Sequence, residues 1–460
     1  MTQEESDITE IIRVDNGESD NFCFVHASDL HLGTPFTGIA KINEEVAAAL
    51  REASLEAFRN ICKLAIDSKA SFLLLAGDIY DGPERGASLQ LNFREELAKL
   101  SDAKIAAFIV HGNHDPVTSG WTAIEKWPDL VRLFPTKTRT EIYAVSVNEK
   151  LIATIQGISH KSRNTSDNLA VKLFKPSVET FNIGLLHCNV TGVSEEHLNY
   201  APCTRVDLIN TQLDYLALGH IHKHLILSGS PDSGEPWIVY SGNSQGRSLK
   251  PSELGPKGAC LVKVKSGRVQ KVDLLPCDQV RYLRKDIDIS GIAGFDTLYE
   301  ECEKIAYDTW VENGKRCLIL RAKLTGKTSL YKELRSSNAL DEVIDKLNRD
   351  TDIENSFIWW ESIENLATPP IDIDLLANGN DFIAELIKTA KNPGIPDGET
   401  LHDFYLDQVC GNKNFLDIPR DFADRISEIL SDKDTLADLI DKALYAAIDM
   451  LNDDDGSDND

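Results

Sequence analysis

The sequence of 460 residues contains no long hydrophobic run, no closely spaced cysteine pair and no basic segment at its start. Because no stretch of about 18 apolar residues occurs, we expect no contact with a membrane. Residues 1–20 are acidic and polar, unlike the basic and then apolar start of a secretion signal, so we predict a cytoplasmic protein. Nine scattered cysteines without a C-x-x-C pair argue against a disulfide framework and a zinc ribbon, and we expect free buried thiols.

The chain also has no excess of positive charge. It carries 48 basic and 74 acidic side chains, and its net charge is −26. The imbalance belongs to the two ends of the chain. Residues 22–277 carry 27 acidic and 27 basic side chains, whereas residues 278–460 carry 40 acidic and 20 basic ones. Acidic stretches of this kind are usually solvated. The charge therefore neither excludes nor supports a nucleic acid as the partner.

Short apolar runs alternate with stretches of helical periodicity through the first 277 residues. The periodicity predicts helices at residues 44–66 and 88–100. The apolar runs predict strands at 22–26, 72–76, 105–110, 151–155, 181–186, 215–218 and 237–240, and a hairpin at 259–275. This alternation indicates an α/β domain in which helices cover the sheets.

Chain length and the polar stretch after Pro276 predict more than one domain. We expect strands near residues 286–289 and 316–324, helices near 294–308 and 339–347, and a long amphipathic helix at 419–452. The predicted organisation is an acidic disordered start at 1–21, a catalytic domain at 22–277, an α+β domain at 278–366, a helical region at 367–451 and an acidic disordered tail at 452–460.

Polar residues follow five of the predicted strands. The segments are Asp29-Leu-His31, Gly77-Asp78, Gly112-Asn-His-Asp115, His187-Cys188-Asn189 and Gly219-His-Ile-His222. Loops of this kind meet at one edge, because open α/β sheets bind ligands at the carboxyl ends of their strands. The segments offer Asp, Asn and His side chains, which suit Mn²⁺, Fe²⁺ or Zn²⁺, and the carboxylates and amides favour manganese.

Each segment taken singly has an ordinary explanation. Asp29 and His31 fit a surface loop, Asp78 a turn and His187 a core histidine. The joint occurrence favours a shared metal site, since five of the eleven histidines fall in these segments. An unpaired carboxylate at Asp78, after a very apolar strand, would also be costly without a cation beside it.

The order of these motifs resembles that of the calcineurin-like metallophosphoesterase superfamily. The motifs are Asp-x-His, Gly-Asp, Gly-Asn-His-Asp, a lone His and Gly-His-x-His. Residues 27–33, 76–81 and 110–115 are similar to the SbcD-type DNA repair exonucleases, and residues 240–247 and 324–326 to their YhaO branch. The resemblance covers about residues 22–330 and is weak beyond 367. It implies two packed mixed β-sheets flanked by helices, then a small α+β capping domain and C-terminal helices.

The resemblance also implies two divalent metal ions, with Mn²⁺ favoured, and it assigns their ligands. The first ion would be held by Asp29, His31, Asp78 and His222. The second would be held by Asp78, Asn113, His187 and His220, so that Asp78 bridges the two.

Around the metals, the resemblance places His114 near the leaving oxygen as a proton donor and Asp115 as the group that orients it. We expect Asp81 to support the site rather than to bind a metal. Ser241, Asn243 and Arg247 are predicted to bind the substrate, although a plain turn with a surface arginine is an alternative.

Other polar residues near these segments carry weaker predictions. Basic residues of a polar insertion either bind a DNA backbone or form a solvated loop; they are Lys161, Arg163, Lys172 and Lys175. We expect structural roles for His111 and His224 and leave the role of His160 open.

The function implied is a metal-dependent DNA nuclease, acting in DNA repair or on foreign DNA. It would work with an SMC-like ATPase that docks on the helices after residue 367, and as a homodimer. Two alternatives stand: a phosphatase or phosphodiesterase for small substrates, and a non-catalytic scaffold that retains the fold.

Overall fold

The architecture is given by a computed structural model. It describes residues 8–18, 20–34, 43–82, 86–118, 122–137, 140–193, 200–231, 233–335, 338–349, 356–391 and 432–454. The predicted helix at 419–452 lies outside the described residues up to 431, as does the predicted acidic tail from 455 onward. Among the described helices, none is both long and apolar enough to cross a membrane.

Two mixed β-sheets pack face to face and confirm the predicted α/β class. The larger sheet has the order β1-β6-β7-β8-β9-β11-β10. Its strands are β1 (Glu10–Arg13), β6 (Glu141–Val147), β7 (Lys150–Ile158), β8 (Phe181–His187), β9 (Tyr215–Gly219), β10 (Leu225–Ser228) and β11 (Trp237–Tyr240).

The second sheet has six strands in the order β13-β12-β2-β3-β4-β5. They are β2 (Asn21–Ala27), β3 (Phe72–Ala76), β4 (Ala106–Val110), β5 (Val131–Leu133), β12 (Gly258–Lys265) and β13 (Arg268–Pro276). Strands β2, β3 and β4 are parallel, as are β7, β8, β9 and β11. Fully buried side chains from the facing strands, such as Phe24, Phe72 and Ile183, form the core between the sheets.

Helices α1 (Glu44–Asp67) and α2 (Ala87–Asp102) cover the outer face of the six-stranded sheet. Helix α1 begins where the Asn43 side chain accepts hydrogen bonds from the backbone amides of Glu45 and Val46, both at 2.9 Å. The apolar stripe of α1, with Phe58 and Ile61, packs on this sheet. A short helix, α3 (Arg205–Asn210), precedes β9.

Residues 10–14 differ from the prediction of a disordered start. Strand β1 pairs in parallel with β6, and the side chains of Ile12 and Val14 are buried in the core between the sheets. The acidic composition around this segment hides a short alternation of exposed and buried residues, which is enough to form an edge strand.

The remaining elements are β14 (Val280–Asp288), α4 (Phe295–Glu312), β15 (Cys317–Thr325), α5 (Ala339–Arg349), β16 (Ile358–Asn365), α6 (Ile373–Leu376), α7 (Phe382–Lys391) and α8 (Lys433–Asp454). A third sheet has the order β14-β15-β16. Strand β14 begins at Val280 rather than near residue 286. The apolar pattern at the start of this strand is interrupted by Arg281, whose buried guanidinium pairs with Asp278 at 2.7 Å.

The chain divides into two compact units. The first comprises residues 1–284, 306–321 and 347–362, and the second comprises 285–305, 322–346 and 363–460. In the first unit, Tyr282, Ile319 and Trp359 pack on the first turns of α1. In the second, helices α6, α7 and α8 share an apolar cluster of Ile373, Ile387, Leu444 and Ile448.

Candidate metal centre

The five predicted segments all lie at the carboxyl ends of parallel strands. Three follow β2, β3 and β4 in one sheet, and two lie at the ends of β8 and β9 in the other. The sheets meet at this edge, because the backbone amide of His220 donates to both oxygens of Asp29 at 3.1 Å and the amide of Asp29 donates to the Gly77 carbonyl at 3.1 Å. Packing of the two sheets therefore brings the segments together.

One group of possible ligands consists of Asp29, His31 and His222, whose donor atoms all lie within 4.8 Å of one another. The Nε2 atoms of His31 and His222 are 3.2 Å apart. All three residues are buried. These are three of the four residues predicted to hold the first metal.

A second group consists of Asp29, Asp78 and His187, again within 4.8 Å. Asp78 lies between the two groups, since its Oδ2 is 3.8 Å from His31 Nε2 and 3.3 Å from His187 Nε2. Asn113 Oδ1 is 2.9 Å from His187 Nε2, and the rings of His187 and His220 are 5.3 Å apart. The structure thus brings all seven predicted ligands together, with Asp29 common to both groups and Asp78 within 4 Å of a histidine of each.

Four of these residues adopt the left-handed backbone region that non-glycine residues rarely occupy. The φ angles are 50° at Asp29, 45° at His31, 49° at Asp78 and 103° at His220. Each such residue costs roughly 1–3 kcal/mol and persists only where the surroundings hold it. The loops are therefore held in a strained form that aims the side chains at one point.

The glycine before Asn113 is required by a close approach. A Cβ at Gly112 would lie 2.1 Å from Asp78 Oδ1 and 2.7 Å from the Asp78 amide. Its φ is ordinary, so it is space rather than backbone freedom that excludes a side chain here. The sequence pattern Gly-Asn-His-Asp thus includes a residue that makes room for the bridging carboxylate.

The donor set fits divalent cations. The carboxylates of Asp81 and Glu253 accept hydrogen bonds from the Nδ1 atoms of His31 at 2.9 Å and His222 at 2.7 Å. Each imidazole therefore turns its Nε2 lone pair toward the other, and two such nitrogens at 3.2 Å repel unless a cation lies between them. Buried carboxylates at Asp29 and Asp78 add negative charge that a cation would compensate.

The charges of the metal-free cluster are strongly coupled. Burial raises the pKa of the Asp78 carboxyl, but the charge and hydrogen bond of His187 outweigh it and hold this pKa well below its usual range. Burial conversely lowers the pKa of His187, and the Asp78 carboxylate outweighs that effect and raises it to about 9. His187 therefore carries a proton at neutral pH that must leave when a metal binds.

His114 lies beside the cluster with a partly open side chain, of which 31% is exposed. Its Nδ1 is 3.2 Å from Asp81 Oδ1, and this hydrogen bond raises the pKa of His114. The same oxygen of Asp81 accepts from His31 Nδ1 at 2.9 Å and from Arg247 at 3.2 Å. Asp81 thus serves as a common acceptor, and its group with His31 and His114 is a hydrogen-bond network rather than a third metal site.

The predicted partnership between Asp115 and His114 needs correction. Asp115 is fully buried beneath the loop, where its oxygens accept from the backbone amides of Gly112 at 2.8 Å and Ile79 at 3.1 Å and lie 3.3 Å from His111 Nδ1. It shapes the loop that carries Asn113 and His114. The carboxylate that contacts the His114 ring is Asp81, which comes from a different strand.

Two of the three predicted substrate-binding residues lie below the surface. Ser241 and Asn243 are each 1% exposed. Ser241 contacts Ser28 at 2.8 Å, and the Asn243 amide donates to Glu253 Oε2 at 2.7 Å. Both side chains are buried against residues close to the predicted ligands, Ser28 for Ser241 and Glu253 for Asn243, and their predicted contact with a substrate stays a prediction. Arg247 is partly exposed beside Asp81, where a phosphate can reach it.

The remaining histidines near the site have partners in the protein. His160 Nε2 contacts the His187 carbonyl at 2.6 Å, and His224 Nδ1 contacts the Tyr240 carbonyl at 3.0 Å. Burial lowers the pKa of His160 to about 4, so this ring is neutral.

Glu253 is a functional residue that the sequence patterns did not reveal. One of its oxygens accepts from His222 Nδ1 and the other from the backbone amide of Arg247, at 3.1 Å. Burial raises the pKa of its carboxyl, but the hydrogen bond from His222 and the charge of Arg247 outweigh this and leave the pKa at about 2. Glu253 is therefore an anion that fixes the tautomer of His222.

We expect Glu253→Gln to weaken metal binding by about 10- to 100-fold, because loss of the negative charge makes the His222 imidazole a poorer ligand. Titration calorimetry with Mn²⁺ measures the change. Glu361→Gln is the matched control, since Glu361 pairs with Arg321 at 2.8 Å away from the ligands. Equal affinities of the two variants would contradict this role.

Comparison with known proteins agrees with this geometry. Residues 23–224 match the family model of the calcineurin-like phosphoesterases, and residues 282–368 match that of the middle domain of metallophosphoesterase YhaO. The chain is 31% identical over 338 residues to the uncharacterised metallophosphoesterase YhaO of Bacillus subtilis, covering 73% of this chain and 79% of that protein.

More distant similarity extends to the DNA double-strand break repair protein Mre11. The protein from Sulfurisphaera tokodaii is 26% identical over 338 residues, covering 68% of this chain and 77% of the relative. The protein from Thermoplasma acidophilum is 22% identical over 345 residues, covering 72% of this chain and 85% of the relative.

Proposed function

Because the chain belongs to the YhaO family of calcineurin-like metallophosphoesterases, we propose that it is a two-metal nuclease that hydrolyses the phosphodiester backbone of DNA. The observation that carries the proposal is the pair of ligand groups that share Asp29, with Asp78 within 4 Å of a histidine of each group and His114 beside them. A non-catalytic scaffold would have no need for strained ligand loops or for an open histidine next to them.

The proposed mechanism follows from the positions of the side chains. Two divalent cations held by the seven ligands would supply an activated water, charge neutralisation at the phosphate and support for the leaving oxygen. His114 holds its Nδ1 hydrogen on Asp81, which leaves Nε2 to protonate the departing oxygen. Arg247, on the same Asp81 oxygen, is placed to contact a non-bridging phosphate oxygen.

The choice of DNA and the role in DNA repair rest on the similarity to Mre11. Manganese is proposed from the mixture of carboxylate, amide and imidazole ligands. We further propose that helices α6, α7 and α8 contribute to docking an SMC-like ATPase, that the chain forms a homodimer, and that it acts in the cytoplasm.

The test is cleavage of end-labelled DNA beside the small diester bis-p-nitrophenyl phosphate. We expect wild-type protein with Mn²⁺ to degrade the DNA, and a chelator to stop the reaction. Asp78→Asn protein, purified in parallel, controls for a contaminating nuclease. Hydrolysis of the small diester without any cleavage of DNA, with or without an ATPase partner, would contradict the nuclease assignment and leave a phosphodiesterase for small substrates.

A further inference from the structure

A basic turn lies at the rim of the metal centre. It comprises residues 161–165, which we call the rim turn, and it carries Lys161 and Arg163 with exposed side chains. We propose that the rim turn binds a phosphate of the DNA strand next to the scissile one, so that it selects a polynucleotide over a small diester. This inference rests on the proposed nuclease function.

One end of the rim turn is fixed to the loop that carries His114. The amide of Val117 donates to the His160 carbonyl at 3.1 Å, and the Thr118 hydroxyl donates to the Lys161 carbonyl at 2.6 Å. The amide of His160 in turn donates to the His111 carbonyl at 3.0 Å. The backbone of Lys161 is therefore held beside the segment that places the proton donor.

The other end is fixed near the ligands of the second metal. The amide of Ala201 donates to the Thr165 carbonyl at 2.7 Å. The neighbouring Tyr200 places its ring 5.8 Å from that of His220. The rim turn thus runs from the His114 loop to the His220 side of the centre.

The charges of the rim turn are available to a ligand. Among the residues that the structure describes, no carboxylate lies within ion-pair distance of Lys161 or Arg163. Residues 22–277 are neutral in sum, so the domain offers no general attraction to a polyanion. Local cations must supply the attraction if DNA is to bind here.

Lys175 belongs to the same insertion but lies at the opposite edge. The insertion joins parallel strands, and so it runs from the carboxyl end of β7 to the amino end of β8. Lys175 borders a cavity of about 460 Å³ together with Phe181, Asp214 and Trp237, at the amino ends of β8, β9 and β11. Lys175 therefore does not act together with Lys161 and Arg163, and it is a matched control.

The experiment compares Lys161→Gln/Arg163→Gln with Lys175→Gln on a single-stranded oligonucleotide and on bis-p-nitrophenyl phosphate. We expect kcat/KM of the double variant to fall roughly tenfold for the oligonucleotide. The slope of log kcat/KM against log salt concentration should become shallower by about 0.7 for each lost phosphate contact. Its ratio of oligonucleotide to small-diester activity should fall by the same factor, whereas Lys175→Gln keeps the wild-type ratio.

The outcomes separate this inference from the proposed function. If wild-type protein cleaves the oligonucleotide and the double variant matches it in rate and salt dependence, the rim turn does not bind DNA. If both activities of the double variant fall equally, the turn has only a structural role. If wild-type protein hydrolyses the small diester but never the oligonucleotide, the nuclease function itself is wrong and the inference fails with it.

Discussion

Asp78→Asn should lower kcat for phosphodiester hydrolysis by on the order of 10³-fold or more, the largest effect that we expect of any substitution. Asp78 Oδ2 lies between His31 Nε2 at 3.8 Å and His187 Nε2 at 3.3 Å. An asparagine has nearly the same shape but carries no charge, so neither cation would be neutralised at the bridging position. The measurement combines turnover of bis-p-nitrophenyl phosphate with metal content.

The fold should survive this change. Asparagine keeps the side-chain oxygen that accepts from the backbone amide of His114 at 2.9 Å, and the change removes only the ion pair with His187. Thermal unfolding in chelator therefore distinguishes loss of the site from loss of the structure. Asp129→Asn, at a position whose side chain is 89% exposed, is the control. Retention of a tenth of wild-type turnover by Asp78→Asn would rule out a bridging role.

His114→Ala should lower cleavage of DNA by about 10²- to 10⁴-fold, the range for loss of a general acid. The large effect on DNA is expected because the leaving group is a sugar oxygen, which departs poorly as an alkoxide unless it receives a proton. Its effect on bis-p-nitrophenyl phosphate should be far smaller, since nitrophenolate is a stable anion that departs without protonation. Metal affinity should stay close to that of wild type, because His114 is not among the seven ligands.

The comparison of the two substrates is what tests the role of His114. Equal losses on DNA and on the small diester would mean that this residue positions the phosphate or the water instead of donating a proton. His111→Ala provides the control, because it alters the same loop through its contact with Asp115 at 3.3 Å and leaves the proton donor in place.

The seven ligands could be predicted because each lies at the end of an apolar strand or within four residues after it. A parallel strand delivers its carboxyl end to a common edge, so position along the chain translates directly into position in space. Asp29 and His31 illustrate this, since they lie two and four residues after the end of β2 and both reach the cluster. No individual side-chain contact had to be foreseen, although the packing of two sheets at one edge was an expectation drawn from the family resemblance.

The supporting residues required such contacts and were harder to find. Asp115 is adjacent to His114 in the sequence, yet the carboxylate that contacts the His114 ring is Asp81, which follows another strand. Glu253 reaches His222 from a 3-10 turn that no spacing marks. Ser241 and Asn243 have the polar character of substrate contacts, and only packing shows that they are buried.

The fold was predictable where strands are wholly buried and less so at the edges. Strand β3 agrees with its prediction because all five residues are buried and apolar. Strand β16 escaped prediction because its charged residues face partners across the sheet, as where Glu361 pairs with Arg321. Half-polar strands stabilised by such pairs carry too weak an apolar alternation to be recognised from the sequence.

One oxygen of Asp81 accepts hydrogen bonds from His31, His114 and Arg247. This shared acceptor limits how the enzyme can change over evolutionary time. On the proposed roles, a metal ligand, a proton donor and a phosphate contact all depend on this one atom, so a substitution at Asp81 would weaken all three together. We therefore expect relatives that adopt new substrates to vary the rim turn and to keep this aspartate.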